Sequence, residues 1–140
     1  MEAIYTTSAT STGEGRGGHV RSVNGVIDTD LAYPKEMGGP GGDLPNPEMF
    51  FAAGWAACFH SAIKGVARYR KIKLGDDTAV TVDAGLVKND SGAYQLQVAI
   101  EVEIPGVDEE TAREIVEAAH QTCPYSNATR GNIEVSLSLA

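Results

Sequence analysis

The sequence is poor in cysteine and in positive charge. Two of its 140 residues are cysteine, and 11 lysines and arginines face 19 aspartates and glutamates, for a formal net charge of -8 at pH 7. This balance excludes the basic surface that is typical of nucleic-acid binders and of proteins that bind anionic lipid. We therefore expect small molecules or proteins as partners, with no nucleic acid and no membrane.

Long hydrophobic runs are also missing. The longest apolar stretch is Met49–Phe59, well short of the roughly 20 residues that a transmembrane helix needs. No charged segment followed by an apolar signal core opens the chain, so we expect the protein to stay in the cytoplasm. A chain of 140 residues can bury a core without metal or disulfide staples, which favours a single domain over residues 1–140.

The first third of the chain predicts a small antiparallel sheet. Val23-Asn24-Gly25-Val26 is the signal of a two-residue type I′ hairpin, and that register places Arg21 opposite Asp28. The glycine-rich stretch Thr12–Gly18 predicts a mobile loop that carries one cation, Arg16.

Asn46-Pro47-Glu48 predicts the start of a helix that extends to about Lys71. The first half of this helix is apolar on every side, so it must be enclosed, and we expect a partner chain to contribute. Asp108 predicts the cap of a second helix with a buried stripe. Alternating apolar residues predict strands over Val80–Leu86, Tyr94–Ile104 and Ile133–Leu139.

The two cysteines occupy contrasting environments. Cys58 lies inside the apolar helix, whereas Cys123 opens a polar segment and precedes Pro124, which disfavours helical geometry at Cys123 itself. A single helical cysteine is commonly just a small hydrophobic residue. A pair in a reducing compartment is more often catalytic or redox-sensing. Attack by one thiol on an oxidant and capture of the product by the other would require this division of roles.

A buried thiol has a raised pKa and needs a nearby cation to react. Arg16 could hold Cys58 as a thiolate, and Glu48 could fix the guanidinium through a two-pronged contact. Arg16 could equally be a solvated loop cation, and Glu48 could simply favour the N-terminus of its helix. Glu48 and Cys58 would be about 15 Å apart along one straight helix. Arg16 must therefore bridge them, the helix must break near Gly54, or a partner chain must supply one group.

Two other classes of function are compatible with these residues. His120, Cys123 and Cys58 could form part of a zinc-stabilised structural site. Alternatively, the two thiols could belong to a non-catalytic redox sensor whose disulfide changes its binding to another protein.

Two motifs carry a resemblance to a known family. They are Asn46–Phe59, which contains Cys58, and Cys123–Asn132, which begins Cys-Pro-Tyr-Ser. Together with Gly15–Gly18 and the Asn24-Gly25 hairpin, they resemble the OsmC/Ohr family over nearly the whole chain. The second motif favours its organic hydroperoxide resistance (Ohr) branch. Trp55 stands where this family leads us to expect tyrosine.

The resemblance implies an α+β fold with antiparallel sheets around a long central cysteine-bearing helix, in an intertwined homodimer. It implies a cysteine-based peroxidase that reduces alkyl or fatty-acid hydroperoxides without a bound cofactor. By the same resemblance Cys58 is the peroxidatic cysteine, Cys123 the resolving one, and Arg16 and Glu48 the activating pair. The reductant of the disulfide is expected to be a dithiol, from dihydrolipoamide or a lipoylated protein.

Overall fold

The computed structural model describes all residues from 1 to 140 and divides into two compact units, Met1–Phe50 and Phe51–Ala140. Both strands and helices are present, as the predicted α+β class requires. The single domain expected over residues 1–140 stays a prediction.

The first unit contains a three-stranded antiparallel sheet. Its strands are β1 (Ala9–Thr12), β2 (His19–Ser22) and β3 (Asp28–Asp30), in the order β1-β2-β3. Arg21 lies opposite Asp28, as predicted, and its Nε is 3.6 Å from Asp28 Oδ2. The His19 ring contacts Asp30 through Nδ1 and Asp28 through Nε2, each at 2.6 Å. These hydrogen bonds, with that of Asp30 first, raise the pKa of His19.

The turn between β2 and β3 differs from the predicted type I′ turn. That turn needs positive φ at both central residues, but Gly25 has φ 73° and Asn24 does not have a positive φ. The Asn24 side chain instead accepts a hydrogen bond from the Val26 N–H at 3.1 Å, which is an Asx turn. Gly25 donates its N–H to the Ser22 carbonyl at 2.9 Å. The prediction of the register was right and that of the turn type was wrong.

The stretch Thr12–Gly18, which the sequence suggested to be a loop, contains a 3₁₀ turn at Gly15–Gly17. The Gly18 N–H closes it by donating to the Gly15 carbonyl at 2.9 Å. A Cβ atom at Gly18 would lie 2.2 Å from the Thr12 carbonyl oxygen. Only glycine therefore fits there, and Arg16 stands on a defined turn.

Helix α1 (Pro47–Tyr69) begins where the sequence predicted, because Asn46 Oδ1 accepts the Met49 N–H at 2.9 Å. The helix continues through Gly54 without a break, so the kink considered above is absent. It ends two residues before the predicted Lys71, whose φ of 59° turns the chain out of the helix. Four residues spaced one turn apart form its buried face: Trp55, Phe59, Ile63 and Ala67.

The second unit contains most of α1 and a mixed sheet. Strands β4 (Ala79–Lys88) and β5 (Tyr94–Glu103) form an antiparallel hairpin, and β6 (Val135–Leu139) lies parallel to β5. The expectation of purely antiparallel sheets was therefore wrong for this sheet. The reason is the connection: a parallel neighbour needs a long crossover, and two helices occupy it.

The crossover contains α2 (Glu109–Thr122) and the short α3 (Pro124–Thr129). Asp108 caps α2 as predicted, because its Oδ2 accepts the Thr111 N–H at 3.1 Å. The Thr111 side chain and then this backbone N–H lower the pKa of Asp108 by hydrogen bonding. The predicted apolar stripe is buried, namely Ala112, Ile115, Val116 and Ala119. The sequence reading missed α3. None of the helices combines the length and apolar character that crossing a membrane requires.

Candidate active site

The two cysteines meet in the second unit. Cys58 is a half-buried residue of α1, whereas Cys123 is fully buried at the junction of α2 and α3. Both are free thiols, and they lie close enough for Cys123 to raise the pKa of Cys58. Helix packing thus brings together two residues that are 65 positions apart in the chain.

Burial and two neighbouring residues set the pKa of Cys58. Burial raises the pKa of its thiol most, and the hydrogen bond and charge of Cys123 raise it further. The backbone N–H of Tyr125 acts in the opposite direction, because it stabilises the thiolate. The net result is a pKa above the ordinary value of cysteine, so these groups alone keep Cys58 protonated at neutral pH.

The backbone at Cys123 explains its place. Its φ and ψ of -66° and 124° are extended, which is the geometry that a following proline imposes. The Cys123 N–H donates to Ala119 at the end of α2, at 2.8 Å, and its carbonyl accepts the Asn127 N–H of α3 at 3.0 Å. Cys123 therefore caps two helices at once, where the sequence suggested only a frayed helix end.

A buried hydroxyl that joins the helices next to the cysteines was missed at the sequence level. Ser126 is fully buried, and its Oγ accepts the Trp55 indole N–H at 3.3 Å and lies 2.9 Å from His120 Nδ1. Burial, followed by the charge of Arg130, lowers the pKa of His120, which is therefore neutral at neutral pH. The sequence signal was Pro124, a favoured first residue of a helix, which would have placed Ser126 on a helix.

Tyr125 packs against α1 one turn before Cys58. A Cβ atom built on Gly54 would lie 2.9 Å from the Tyr125 hydroxyl oxygen and 3.3 Å from its Cζ. Gly54 therefore lets the tyrosine ring approach the helix backbone closely. The same tyrosine supplies the backbone N–H that contacts Cys58.

An open groove of about 710 Å³ extends from Cys58 along the second half of α1. Successive turns of α1 line one wall with Cys58, Ala62, Val66 and Tyr69, and Pro124 lies on the other side. The lining is mainly apolar, with Arg70 as its charged residue, so the groove suits a hydrocarbon chain.

Arg16 and Glu48 form a pair within the first unit. Arg16 Nη1 donates to Glu48 Oε2 at 2.8 Å, and Nη2 donates to Oε1 at 2.7 Å, in the two-pronged arrangement considered above. The hydrogen bond from Arg16 lowers the pKa of Glu48, so the carboxylate stays ionised. The catalytic roles assigned to these two residues remain predictions.

The zinc alternative finds no support in the geometry. No group of three or more His, Cys, Asp or Glu side chains is arranged to hold a metal ion. His120, which was the histidine of that hypothesis, uses Nδ1 for its contact with Ser126. A structural zinc site needs four such ligands in a closed tetrahedron.

Comparisons with known proteins identify the family of the chain. The profile of the OsmC-like protein family matches residues 39–138. The chain is 45% identical over 139 residues to the organic hydroperoxide resistance protein of Xanthomonas axonopodis pv. citri. The matched region covers 99% of this chain and 96% of that protein. It is 42% identical over 140 residues to the organic hydroperoxide resistance protein OhrB of Bacillus subtilis, with 98% of each covered.

Solved structures show the same relationship. The organic hydroperoxide resistance protein of Elizabethkingia anophelis, crystallised with thiocyanate bound, has a TM-score of 0.93 and 51% identity, over 100% of this chain and 99% of that one. The expected OsmC/Ohr-like fold is thereby confirmed. The chain belongs to the OsmC/Ohr family, within its organic hydroperoxide resistance branch.

Proposed function

We propose that the protein is a cysteine-based peroxidase that reduces organic hydroperoxides to alcohols. The observation that carries this proposal is the pair of interacting free thiols, one half-buried beside an apolar groove and one fully buried. A thiol of the first kind can meet a substrate, and one of the second kind can meet only its neighbour.

The reaction has three steps. The Cys58 thiolate attacks the outer oxygen of the hydroperoxide, the O–O bond breaks, and the leaving alkoxide takes a proton to become the alcohol. Cys58 is then a sulfenic acid, and Cys123 attacks its sulfur, forming the disulfide and releasing water. An external dithiol returns both thiols by exchange and is itself oxidised to a disulfide. We propose dihydrolipoamide or a lipoylated protein as that dithiol.

The first step needs help to ionise Cys58. Burial and Cys123 raise the pKa of Cys58, and only the Tyr125 N–H opposes them among the groups described above. We assign the missing positive charge to Arg16, with Glu48 holding the guanidinium plane by its two hydrogen bonds. The family resemblance supports this assignment.

The groove supports the choice of substrate. Its apolar wall continues from Cys58 over several turns of α1, which favours alkyl and fatty-acid hydroperoxides over hydrogen peroxide, because only the former bury hydrocarbon there. The relatives named above are organic hydroperoxide resistance proteins, in agreement with this substrate class.

We also propose that the working form is a cytoplasmic homodimer. Three large apolar or aromatic residues of α1 remain exposed in the single chain, with exposed fractions of 54% for Met49, 37% for Phe50 and 90% for Tyr69. A second copy would remove such surface from water. A reducing compartment fits a pair of thiols that must be regenerated.

The test is steady-state removal of tert-butyl hydroperoxide and of hydrogen peroxide, with dihydrolipoamide and thioredoxin compared as electron donors. We expect turnover with the organic hydroperoxide and dihydrolipoamide, its loss in Cys58→Ser, and a single turnover with a trappable sulfenic acid in Cys123→Ser. Full turnover of Cys58→Ser would contradict the proposal. Stoichiometric consumption by the wild type with every donor would instead favour a non-catalytic redox sensor.

A further inference from the structure

Ser126 connects both cysteine-bearing segments. It follows Cys123 by three residues, its Oγ accepts the N–H of Trp55, which precedes Cys58 by three residues, and it contacts Nδ1 of His120, which precedes Cys123 by three residues. Ser126 and Trp55 are both fully buried. One hydroxyl therefore links α1, α2 and α3, the helices that bear or flank the two cysteines.

The Trp55 indole fixes the direction of one hydrogen bond, and we assign the direction of the other. The Trp55 indole can only donate, so Ser126 Oγ accepts from it and is free to donate its own hydrogen to His120 Nδ1. This requires a neutral imidazole with its hydrogen on Nε2. Burial of His120 and the charge of Arg130 lower its pKa in that sense, and the charge of Glu117 opposes them more weakly.

Arg130 makes a second connection between α3 and the end of α2. Arg130 follows α3 and donates from Nη2 to the His120 carbonyl oxygen at 2.6 Å, and from Nη1 to Asn127 Oδ1 at 2.8 Å. His120, near the end of α2, is thus bound to Ser126 of α3 through its ring and to Arg130 after α3 through its carbonyl oxygen. Rotation of α3 about the Cys123–Pro124 junction would break the two contacts with His120, whereas the bond from Arg130 to Asn127 lies within α3 and its cap and would move with it.

We propose that Ser126, with His120 as its acceptor, is a positioning residue for Cys123. It holds α3 in the orientation that aims the Cys123 sulfur at Cys58. The inference rests on the proposed function and concerns its second step. There the Cys123 thiol gives up its proton, its sulfur attacks the sulfenic sulfur of Cys58, and the S–OH bond breaks to release water. Cys123 is oxidised in this step and the sulfenic sulfur is reduced.

The expected signature is a slow closure of the disulfide with a normal attack on the hydroperoxide. A misplacement of about 1 Å can cost roughly 100-fold in the rate of a reaction between positioned groups. We therefore expect Ser126→Ala to lose about 10- to 100-fold in the rate of closure. The rate at which Cys58 forms a sulfenic acid should stay within about twofold of the wild type on the same reasoning.

The matched control is Thr129→Val, which also removes a buried hydroxyl from α3. Thr129 Oγ1 donates only to carbonyls of its own helix, those of Tyr125 and Ser126, at 2.9 and 3.2 Å. The Thr129→Val variant should therefore close the disulfide at the wild-type rate. At position 120, asparagine can place an acceptor near the site of Nδ1 and leucine cannot, so His120→Asn should retain fast closure and His120→Leu should not.

A pH profile separates positioning from simple packing. Protonation of His120 turns Nδ1 into a donor and removes the acceptor of Ser126, so wild-type closure should fall additionally as the pH drops through the pKa of His120, which lies below the ordinary value of about 6.5. His120→Asn should lack this additional fall. Arg130 and Glu117 are the charged groups that shift His120, and both are present in every variant.

The experiment is stopped-flow oxidation by tert-butyl hydroperoxide, with sulfenic acid and disulfide followed separately, and a redox titration of the thiol pair against dithiothreitol. Fast sulfenic acid formation with slow closure in Ser126→Ala, and a disulfide that is more easily reduced, would support the inference. Closure in Ser126→Ala at the rate of Thr129→Val, with equal redox titrations, would overturn it. A wild type that the hydroperoxide does not oxidise would overturn the proposed function, and the titration would still test the inference.

Discussion

Adding one methyl group at Gly54 tests how Tyr125 is seated beside Cys58. In the interior of a helix, alanine is about 0.8–1 kcal/mol more favourable than glycine. At Gly65, where a Cβ atom meets nothing within 4 Å, Gly65→Ala should therefore stabilise the protein by about that amount. At Gly54 the same atom would lie 2.9 Å from the Tyr125 hydroxyl oxygen. Overpacking of this kind typically costs about 1–3 kcal/mol.

The two effects oppose each other, so Gly54→Ala should range from neutral to about 2 kcal/mol less stable than the wild type. The difference between the two glycine variants should be about 1–3 kcal/mol. Adding Tyr125→Phe removes the oxygen at 2.9 Å and leaves Cζ at 3.3 Å as the nearest atom. The double variant should therefore recover part of the loss.

The assay is equilibrium unfolding in urea of the fully reduced proteins, at one fixed concentration, because association would change the apparent stability. Equal stabilisation by Gly54→Ala and Gly65→Ala would refute the reasoning, since it would mean that the tyrosine ring does not lie over Gly54. A double variant no more stable than Gly54→Ala would locate the clash elsewhere.

Three further predictions concern single side chains. Arg16 lowers the pKa of Glu48, so the ion pair stabilises the fold above about pH 4.3, and this contribution is lost as the pH falls through the lowered pKa. Stability measured in acid titrations should therefore fall more steeply in the wild type than in Glu48→Gln. Parallel curves would contradict the pairing. Asp108→Ala should cost about 0.5–2 kcal/mol in urea unfolding, because α2 loses its N-cap, and Asp108→Asn should cost less; equal losses in both would argue against capping. Arg16→Ala should raise the pH midpoint of Cys58 alkylation, measured in the Cys123→Ser background, and an unchanged midpoint would remove Arg16 from the activation of the thiol.

Local signals in the sequence predicted the elements that bear the cysteines. Asn46 and Pro47 mark the start of α1, and Asp108 marks that of α2, because capping depends only on neighbouring residues. The pairing of Arg21 with Asp28 followed from the length of the hairpin. These features need no knowledge of the rest of the chain.

Other features were not predicted, because they depend on particular side-chain hydrogen bonds or on contacts between distant residues. The type of the β2–β3 turn was decided by side-chain hydrogen bonds of Asn24 and Ser22. The parallel placement of β6 depends on how far the α2–α3 crossover carries the chain. Ser126 acquired its significance only when folding brought it to Trp55, 71 residues away, and no local pattern encodes that separation.

The central claim is that Cys58 and Cys123 form one reactive pair, and its most direct test is peptide mapping after oxidation. The reduced protein is treated with one equivalent of tert-butyl hydroperoxide, digested without reductant and analysed by mass spectrometry. We expect one intramolecular Cys58–Cys123 disulfide, with the loss of two hydrogens per chain and one alcohol released per disulfide. Oxidised Cys58 together with a free Cys123 thiol in the same chain, and no cross-linked peptide, would contradict it.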